Sequence, residues 1–254
     1  MAKKLTLKNL CPPFIVDHLS RTKRALDDRR RRKMAVKEIF TEIYDNKLWG
    51  GGTGKFHSGS GSADDAVTEP YIRKISKYLS SYPKKPSVVD LGCGDFSVGR
   101  HLVRYCSKYT GVDIVAKLIR ELNKTQASTS VKFLCVDIID KEPPAGDIAF
   151  LRQVLQHLSN EQILKILPKL KKYKTVFITE HYPSKSAGIT HNKDIVPGSA
   201  IRLYKNSGVY LDKPPFNIPK NKLKLFLQVQ GSGLGKGLDQ GVIRTYKLDW
   251  SAKK

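Results

Sequence analysis

The chain has 254 residues and carries 46 Lys and Arg against 23 Asp and Glu, a formal charge of +23. That length suits a single core, and 40% apolar residues exclude wholesale disorder. No stretch approaches the ~18 apolar residues of a membrane span. The apolar run Leu10–Val16 is broken by two prolines and has no small-residue cleavage site after it, so a cytoplasmic protein is expected.

Residues 1–32 run from scattered apolar positions, Leu5 to Leu19, into the block Arg29–Arg32. From Met34 to Trp49, Val36, Ile39, Phe40, Ile43 and Tyr44 recur at helical spacing and predict an amphipathic helix ended by Gly50. The Gly-rich run Gly50–Ser62 reads as a lid, or as a segment ordered by a ligand. Thr68 is the expected cap of the next helix, with Pro70 in its first turn and Ile72, Ile75 and Leu79 on its buried stripe.

From Ser87 onward, strand, Gly turn and helix alternate. Strands are expected at 87–91, 109–114, 131–136, 148–151 and 175–179, with helices at about 97–107 and from 115. Ser159 and Gln162 form a capping box for another helix. Such alternation predicts an α/β fold with a doubly wound, mostly parallel sheet. After Pro219 the pattern changes to 222–230 and 241–248 around a Gly-rich 231–240, an antiparallel pair at one sheet edge. An extension over 1–67 followed by one domain over 68–254 is the expected organisation.

In an open α/β sheet the ligand sits beyond the carboxyl ends of the strands. Here the first strand ends in Asp90-Leu-Gly-Cys-Gly-Asp95, where Gly92 and Gly94 allow close backbone approach and the following helix is expected to offer free N–H groups. Asp113, 19 residues after Gly94, ends the second strand, where a carboxylate can accept both hydroxyls of a ribose. Asp137 ends the third, placed to accept from an exocyclic amine. Three acidic strand ends in succession call for a donor-rich ligand, each charge-assisted bond contributing roughly 1.5–3 kcal/mol.

The segments Val88–Phe96, Gly111–Ile114, Cys135–Ile138 and Asp147–Arg152 resemble the successive motifs of class I S-adenosylmethionine-dependent methyltransferases. That resemblance covers 87–181 and implies a seven-stranded Rossmann-like sheet whose last strand is antiparallel. It implies S-adenosylmethionine as cofactor, with the Gly92–Gly94 turn on the methionine part, Asp113 on the ribose, and Asp137 with Ile138 on the adenine. Asp90, Asp95, Ile114 and Arg152 complete the expected cofactor-binding set. Leu48-Trp-Gly50, Gly59–Ser62, Val154–Ser159, Asn192–Ile195 and Pro214–Asn217 are similar to a bacterial branch of that class linked with surface-glycan assembly. Leu10–Phe14 is similar to segments that open some polysaccharide-biosynthesis proteins. Members of the branch usually follow the Arg of the fourth strand with Asp, where this chain has Gln153.

The expected reaction is O-methylation of a hydroxyl on a glycan or related small molecule. A hydroxyl needs a base, and His157 and His181 are the candidate catalytic residues. His191 and Asp194 are too few to make a metal site, so none is expected. Gly54-Lys55 fails as a phosphate loop because Trp49 stands where its first Gly belongs. The four cysteines contain no Cys-x-x-Cys and read as buried reduced thiols.

Charge keeps two alternatives open. Residues 1–40 carry 12 basic and 4 acidic side chains, and 181–254 carry 13 and 4, a field that would attract RNA as acceptor. Arg29–Arg32 beside Leu5–Leu19 would also suit peripheral contact with anionic membrane, against the plainer reading of a solvated helix face continuing into 33–48. A non-catalytic binding module on the same fold is the remaining alternative.

Overall fold

The computed structural model describes residues 22, 24–50, 56–59, 63–184, 188–232 and 240–250. Leu5–Leu19, Cys11, and parts of the Gly50–Ser62 and 231–240 runs lie outside the described residues.

Seven strands form one sheet in the order β3-β2-β1-β4-β5-β7-β6. They are β1 (Ser87–Leu91), β2 (Lys108–Asp113), β3 (Val131–Cys135), β4 (Ile148–Arg152), β5 (Thr175–Tyr182), β6 (Leu223–Gln230) and β7 (Val242–Leu248). The first five pair in parallel, while β7 runs antiparallel to both β5 and β6. Strand order reverses beside β1, which puts the switch-point crevice over the ends of β1, β2 and β4. The sheet is the Rossmann-like arrangement expected, with the antiparallel pair at its edge.

Period-two alternation sends side chains of each central strand into two cores. Val89, Leu91, Ala149 and Leu151 pack on one face, and Val88, Ile148 and Phe150 on the other. With α1 the helix over 24–31, the second face is covered by α2 (Val36–Asp45), α3 (Asp65–Ser80) and α4 (Ala116–Thr125), and the first by α5 (Asn160–Ile166). Ile39, Ile43 and Ile75 are each at most 1% exposed, so the helix preceding the glycine run belongs to the same packed body.

Several elements depart from expectation. A helix over 24–31 stops at a turn before α2, so Arg29–Arg32 does not continue as one helical face into 33–48. Arg30 instead makes a bidentate pair with Glu42 at 2.9 and 2.7 Å, and the Arg31 guanidinium lies against Gly198. Asp64, not Thr68, caps α3 by accepting from the Ala66 N–H at 2.9 Å. Starting the helix a turn earlier buries Thr68, moves Pro70 inside the helix and carries the element across the 67/68 division. There Pro70 removes one intrahelical bond.

No α-helix follows β1. Residues 97–107 wind instead into the 3₁₀ turns Gly99–His101 and Val103–Tyr105. The tighter winding brings Gly99 against the Tyr109 hydroxyl, where a Cβ would stand 2.1 Å from the oxygen. The capping box at Ser159 and Gln162 forms as expected. On β6 a register shift between Leu225 and Leu227 breaks the alternation, turning Phe226 toward Phe177 at 4.9 Å and leaving Leu225 half exposed. Of the described cysteines Cys106 is buried, but Cys135 at the end of the outermost strand β3 is exposed. No helix among the described residues is long and apolar enough to cross a membrane.

Candidate active site

A cleft opens over the carboxyl ends of β1, β2, β3 and β4. Of the predicted site residues, every one except His181 lines it. The switch point thus gathers residues spread over 90–157 into one place.

Its floor is the turn after β1. Gly92 and Gly94 have φ of +82° and +54°, a region open to glycine without strain. A Cβ on Gly92 would stand 2.4 Å from Val154 Cγ2, and one on Gly94 would stand 2.3 Å from Ser58 Oγ. The helix expected after this turn, with free N–H groups at its start, does not form, and the N–H groups of the turn itself are bonded within the chain. Those of Gly92 and Cys93 both donate to the Val112 carbonyl at 2.8 and 2.9 Å, and the Gly94 N–H donates to Asp113 Oδ2 at 3.3 Å. They are used to hold β1 against the end of β2, because no helix starts here to align them.

Asp113 also accepts from the Val115 N–H at 3.0 Å. Burial raises its carboxyl to about 6, against the pull of those N–H donors. Asp90 accepts the Tyr109 hydroxyl, and burial raises it too to about 6, with Tyr109 and the Arg152 charge pulling the other way. Asp137 is half-buried and caps its own loop through the Ile139 N–H at 2.8 Å. Ile114 and the buried Ile138 stand beside these carboxylates as apolar walls.

The opposite side is built by β4, β5 and the segments that cross above them. Arg152 lies under the Tyr71 ring, 5.4 Å from its centroid, and burial lowers its pKa. Gln153 holds a left-handed φ of +57° and donates its N–H to the Thr179 carbonyl at 2.7 Å. His157 sits in the 3₁₀ turn Leu155–His157, packed against Trp49 at 5.3 Å between ring centroids. Its Nδ1–H donates to the Gly198 carbonyl at 3.0 Å, which leaves the lone pair on Nε2, 3.4 Å from the Gln156 amide nitrogen. Burial lowers its pKa to about 4, so the ring stays neutral.

His181 lies outside the cleft. Its Nε2–H donates to the Gln240 carbonyl at 2.6 Å, and the ring fills the junction between Gly231 and Gly241. His191 and Asp194 are likewise engaged elsewhere: the imidazole meets the Tyr210 ring at 4.5 Å, and the carboxylate accepts the Asn160 N–H at 2.7 Å.

Three residues that sequence reasoning missed shape the site. Glu180, fully buried on β5, accepts the Leu155 and Gln156 N–H groups at 2.9 and 3.0 Å and so suspends the turn that carries His157. Burial raises its carboxyl to about 8. Arg202, also fully buried, donates to the Leu158 carbonyl at 2.6 Å and clamps the other end of the turn. Ser58 lies over Gly94 and bonds to Asp95 and to the Tyr44 hydroxyl. A carboxylate among the otherwise uncharged residues of Thr175–Tyr182 was the one signal available for Glu180.

Strand order, the antiparallel β7 and a cleft at the reversal point together define the Rossmann-like methyltransferase fold. A family model for a methyltransferase domain matches residues 89–173. Among solved structures, the 1,6-didemethyltoxoflavin-N1-methyltransferase of Burkholderia thailandensis, with bound 1,6-didemethyltoxoflavin and S-adenosylhomocysteine, is 12% identical with a TM-score of 0.54. It aligns over 84% of this chain and 87% of its own. The magnesium protoporphyrin IX methyltransferase of Synechocystis PCC 6803, with bound S-adenosylhomocysteine, is 15% identical over 85% of this chain and 100% of its own, TM-score 0.52. The N-methyltransferase NodS of Bradyrhizobium japonicum WM9 is 15% identical over 73% of this chain and 89% of its own, TM-score 0.50. No curated protein matches the sequence.

Proposed function

We propose that this protein transfers a methyl group from S-adenosylmethionine to an oxygen of a glycan or related small molecule. The observation that carries the reading is the cleft itself: Asp90, Asp113 and Asp137 at three successive strand ends beside the Gly92–Gly94 turn. That set fits the cofactor. Asp113 stands where a ribose diol would be accepted, Asp137 where an exocyclic amine would donate, and Ile114 and Ile138 would flank the adenine. The cofactor supplies an activated methyl on a sulfonium. The chain's own part is to hold donor and acceptor in line, which by itself yields a large share of the rate. Trp49, Tyr44 and Phe40 roof the cleft and suit a compact acceptor held away from water.

The test is incubation of the purified protein with methyl-labelled S-adenosylmethionine and an extract of a strain lacking it, followed by fractionation. Label in carbohydrate or small-molecule fractions is expected; label removed by ribonuclease contradicts this acceptor class.

One observation favours RNA as a second reading. A groove between α3 and the 3₁₀ turns is lined by Arg73, Lys77, Arg100 and Arg104, against Asp65, Glu69 and Asp95, a small excess of positive charge. An RNA acceptor would bind with a steep salt dependence, and a neutral sugar with almost none.

A further inference from the structure

We infer that the protein carries a second binding pocket, outside the cleft, whose ligand is a neutral saccharide unit. It lies at the β6 edge of the sheet, under the segment that joins β5 to β6, and its lining includes Tyr182, Tyr210, Asp212, Lys220, Leu225 and Tyr246. None of its residues lines the cleft. Tyr210 and Tyr246 each meet the buried Tyr182 ring nearly edge-on, at 5.2 and 6.2 Å between centroids, so the walls are aromatic. The Tyr182 hydroxyl is committed to the Val209 carbonyl at 2.8 Å. Those of Tyr210 and Tyr246 bond to no described residue, and neither do the side chains of Asp212 and Lys220. Tyr210, Asp212 and Tyr246 are half-buried and Lys220 is exposed, so all four groups keep surface that a ligand can reach.

The chemistry of these groups narrows the ligand. The two hydroxyls donate and accept, the carboxylate accepts and the ammonium donates. Asp212 and Lys220 share the pocket without forming an ion pair, so an anion would face the one and a cation the other. Arg244 on β7 lies over the Tyr182 ring and is held by Gln228 at 2.8 Å, not by the pocket carboxylate. A purely apolar ligand would cover polar groups without pairing them, at a cost of about 1–3 kcal/mol each. A sugar ring answers both demands: its hydroxyls donate and accept, and its C–H face packs on aromatic rings and on the half-exposed Leu225. The frame is built in advance. Asn192 accepts the Tyr210 N–H at 2.7 Å and donates to its carbonyl at 2.8 Å, while Asn160 at the start of α5 donates to the Asn192 carbonyl at 2.8 Å. Little ordering is left for the ligand to impose. Sugar binding here needs no cofactor and stands whether or not the cleft transfers methyl groups.

The test is binding of the purified full chain to immobilised oligosaccharides of neutral hexoses, N-acetylhexosamines and hexuronates, with Asp212→Ala and Tyr246→Phe alongside. Asp212→Ala removes no bond to a described residue, so its melting temperature is expected to match wild type. Wild-type binding to a subset of the neutral sugars is expected, and calorimetry with the best of them gives the affinities. Asp212→Ala is expected to weaken binding roughly tenfold, the loss of one charge-assisted bond. Tyr246→Phe keeps the ring, loses the hydroxyl and is expected to weaken it several-fold. Saturating S-adenosylhomocysteine is expected to change nothing, because the cleft shares no residue with the pocket. Three results would each overturn the assignment: no sugar bound, binding confined to hexuronates, or a sugar bound equally by wild type and both variants, which would place it elsewhere.

Discussion

Ser58 and Asp95 exchange two hydrogen bonds: the Ser58 N–H donates to Asp95 Oδ2 at 3.0 Å, and the Asp95 N–H donates to Ser58 Oγ at 2.8 Å. The hydroxyl is also 3.1 Å from the Tyr44 hydroxyl. One small residue from the glycine run thereby joins α2 to the turn after β1, directly above Gly94. On the proposed methyl-transfer reading, this contact borders the Gly92–Gly94 turn that would hold the methionine end of the cofactor. Ser58→Ala loses the acceptor for Asp95. Its S-adenosylmethionine dissociation rate, followed by stopped flow, is expected to rise several-fold, with a melting temperature close to wild type because the contact is part-buried and local.

Asp113→Ala is expected to weaken S-adenosylmethionine binding at least tenfold, about 1.4 kcal/mol or more, the effect of losing one charged contact. Asp113→Asn is the sharper variant, since it keeps an acceptor for one of the two N–H groups that hold the turn. Unchanged affinity in both by calorimetry would remove Asp113 from the cofactor site.

Gly92→Ala tests the turn. At φ +82°, with Val154 Cγ2 at 2.4 Å from the added carbon, the substitution is both strained and crowded. A stability loss of roughly 1–3 kcal/mol is expected in urea unfolding. Adding Val154→Ala is expected to recover the part due to crowding and leave the part due to φ.

Glu180 gives the cofactor-free protein a pH dependence with a defined sign. Its folded-state carboxyl is raised to about 8 from an ordinary 4.5, so stability is full below the lower value and falls as pH rises through the upper one. His157, lowered to about 4 from 6.5, works oppositely and only below 6.5. Between about pH 6.5 and 8 the decline in melting temperature therefore belongs to Glu180, and Glu180→Gln is expected to flatten it. A wild-type profile that rises over that window would contradict the assignment.

The parallel sheet was legible because its strands are short apolar runs bounded by Gly, Pro and charged residues. Asp90, Asp113 and Asp137 were legible because each closes such a run. The region 97–107 was not: Val98, Leu102 and Tyr105 fit both 3.6- and 3.0-residue winding, and the decision lay with Gly99 against Tyr109, a tertiary contact. Thr68 looked like a cap because Pro70 follows it, but the Asp64 side chain accepts an N–H one turn earlier. His157 and His181 are alike in sequence, each following a run expected to be a strand, although β5 extends through His181 to Tyr182. Only the packing of Gln240 and Gly241 against one, and of Trp49 against the other, separates the residue in the cleft from the one outside it.

The central claim is that this cleft binds a methyl-donor cofactor through Asp113. The most direct measurement is calorimetric titration of the purified protein with S-adenosylhomocysteine. One site per chain, weakened at least tenfold in Asp113→Ala, is the predicted result; no heat of binding to a folded wild-type protein would contradict it.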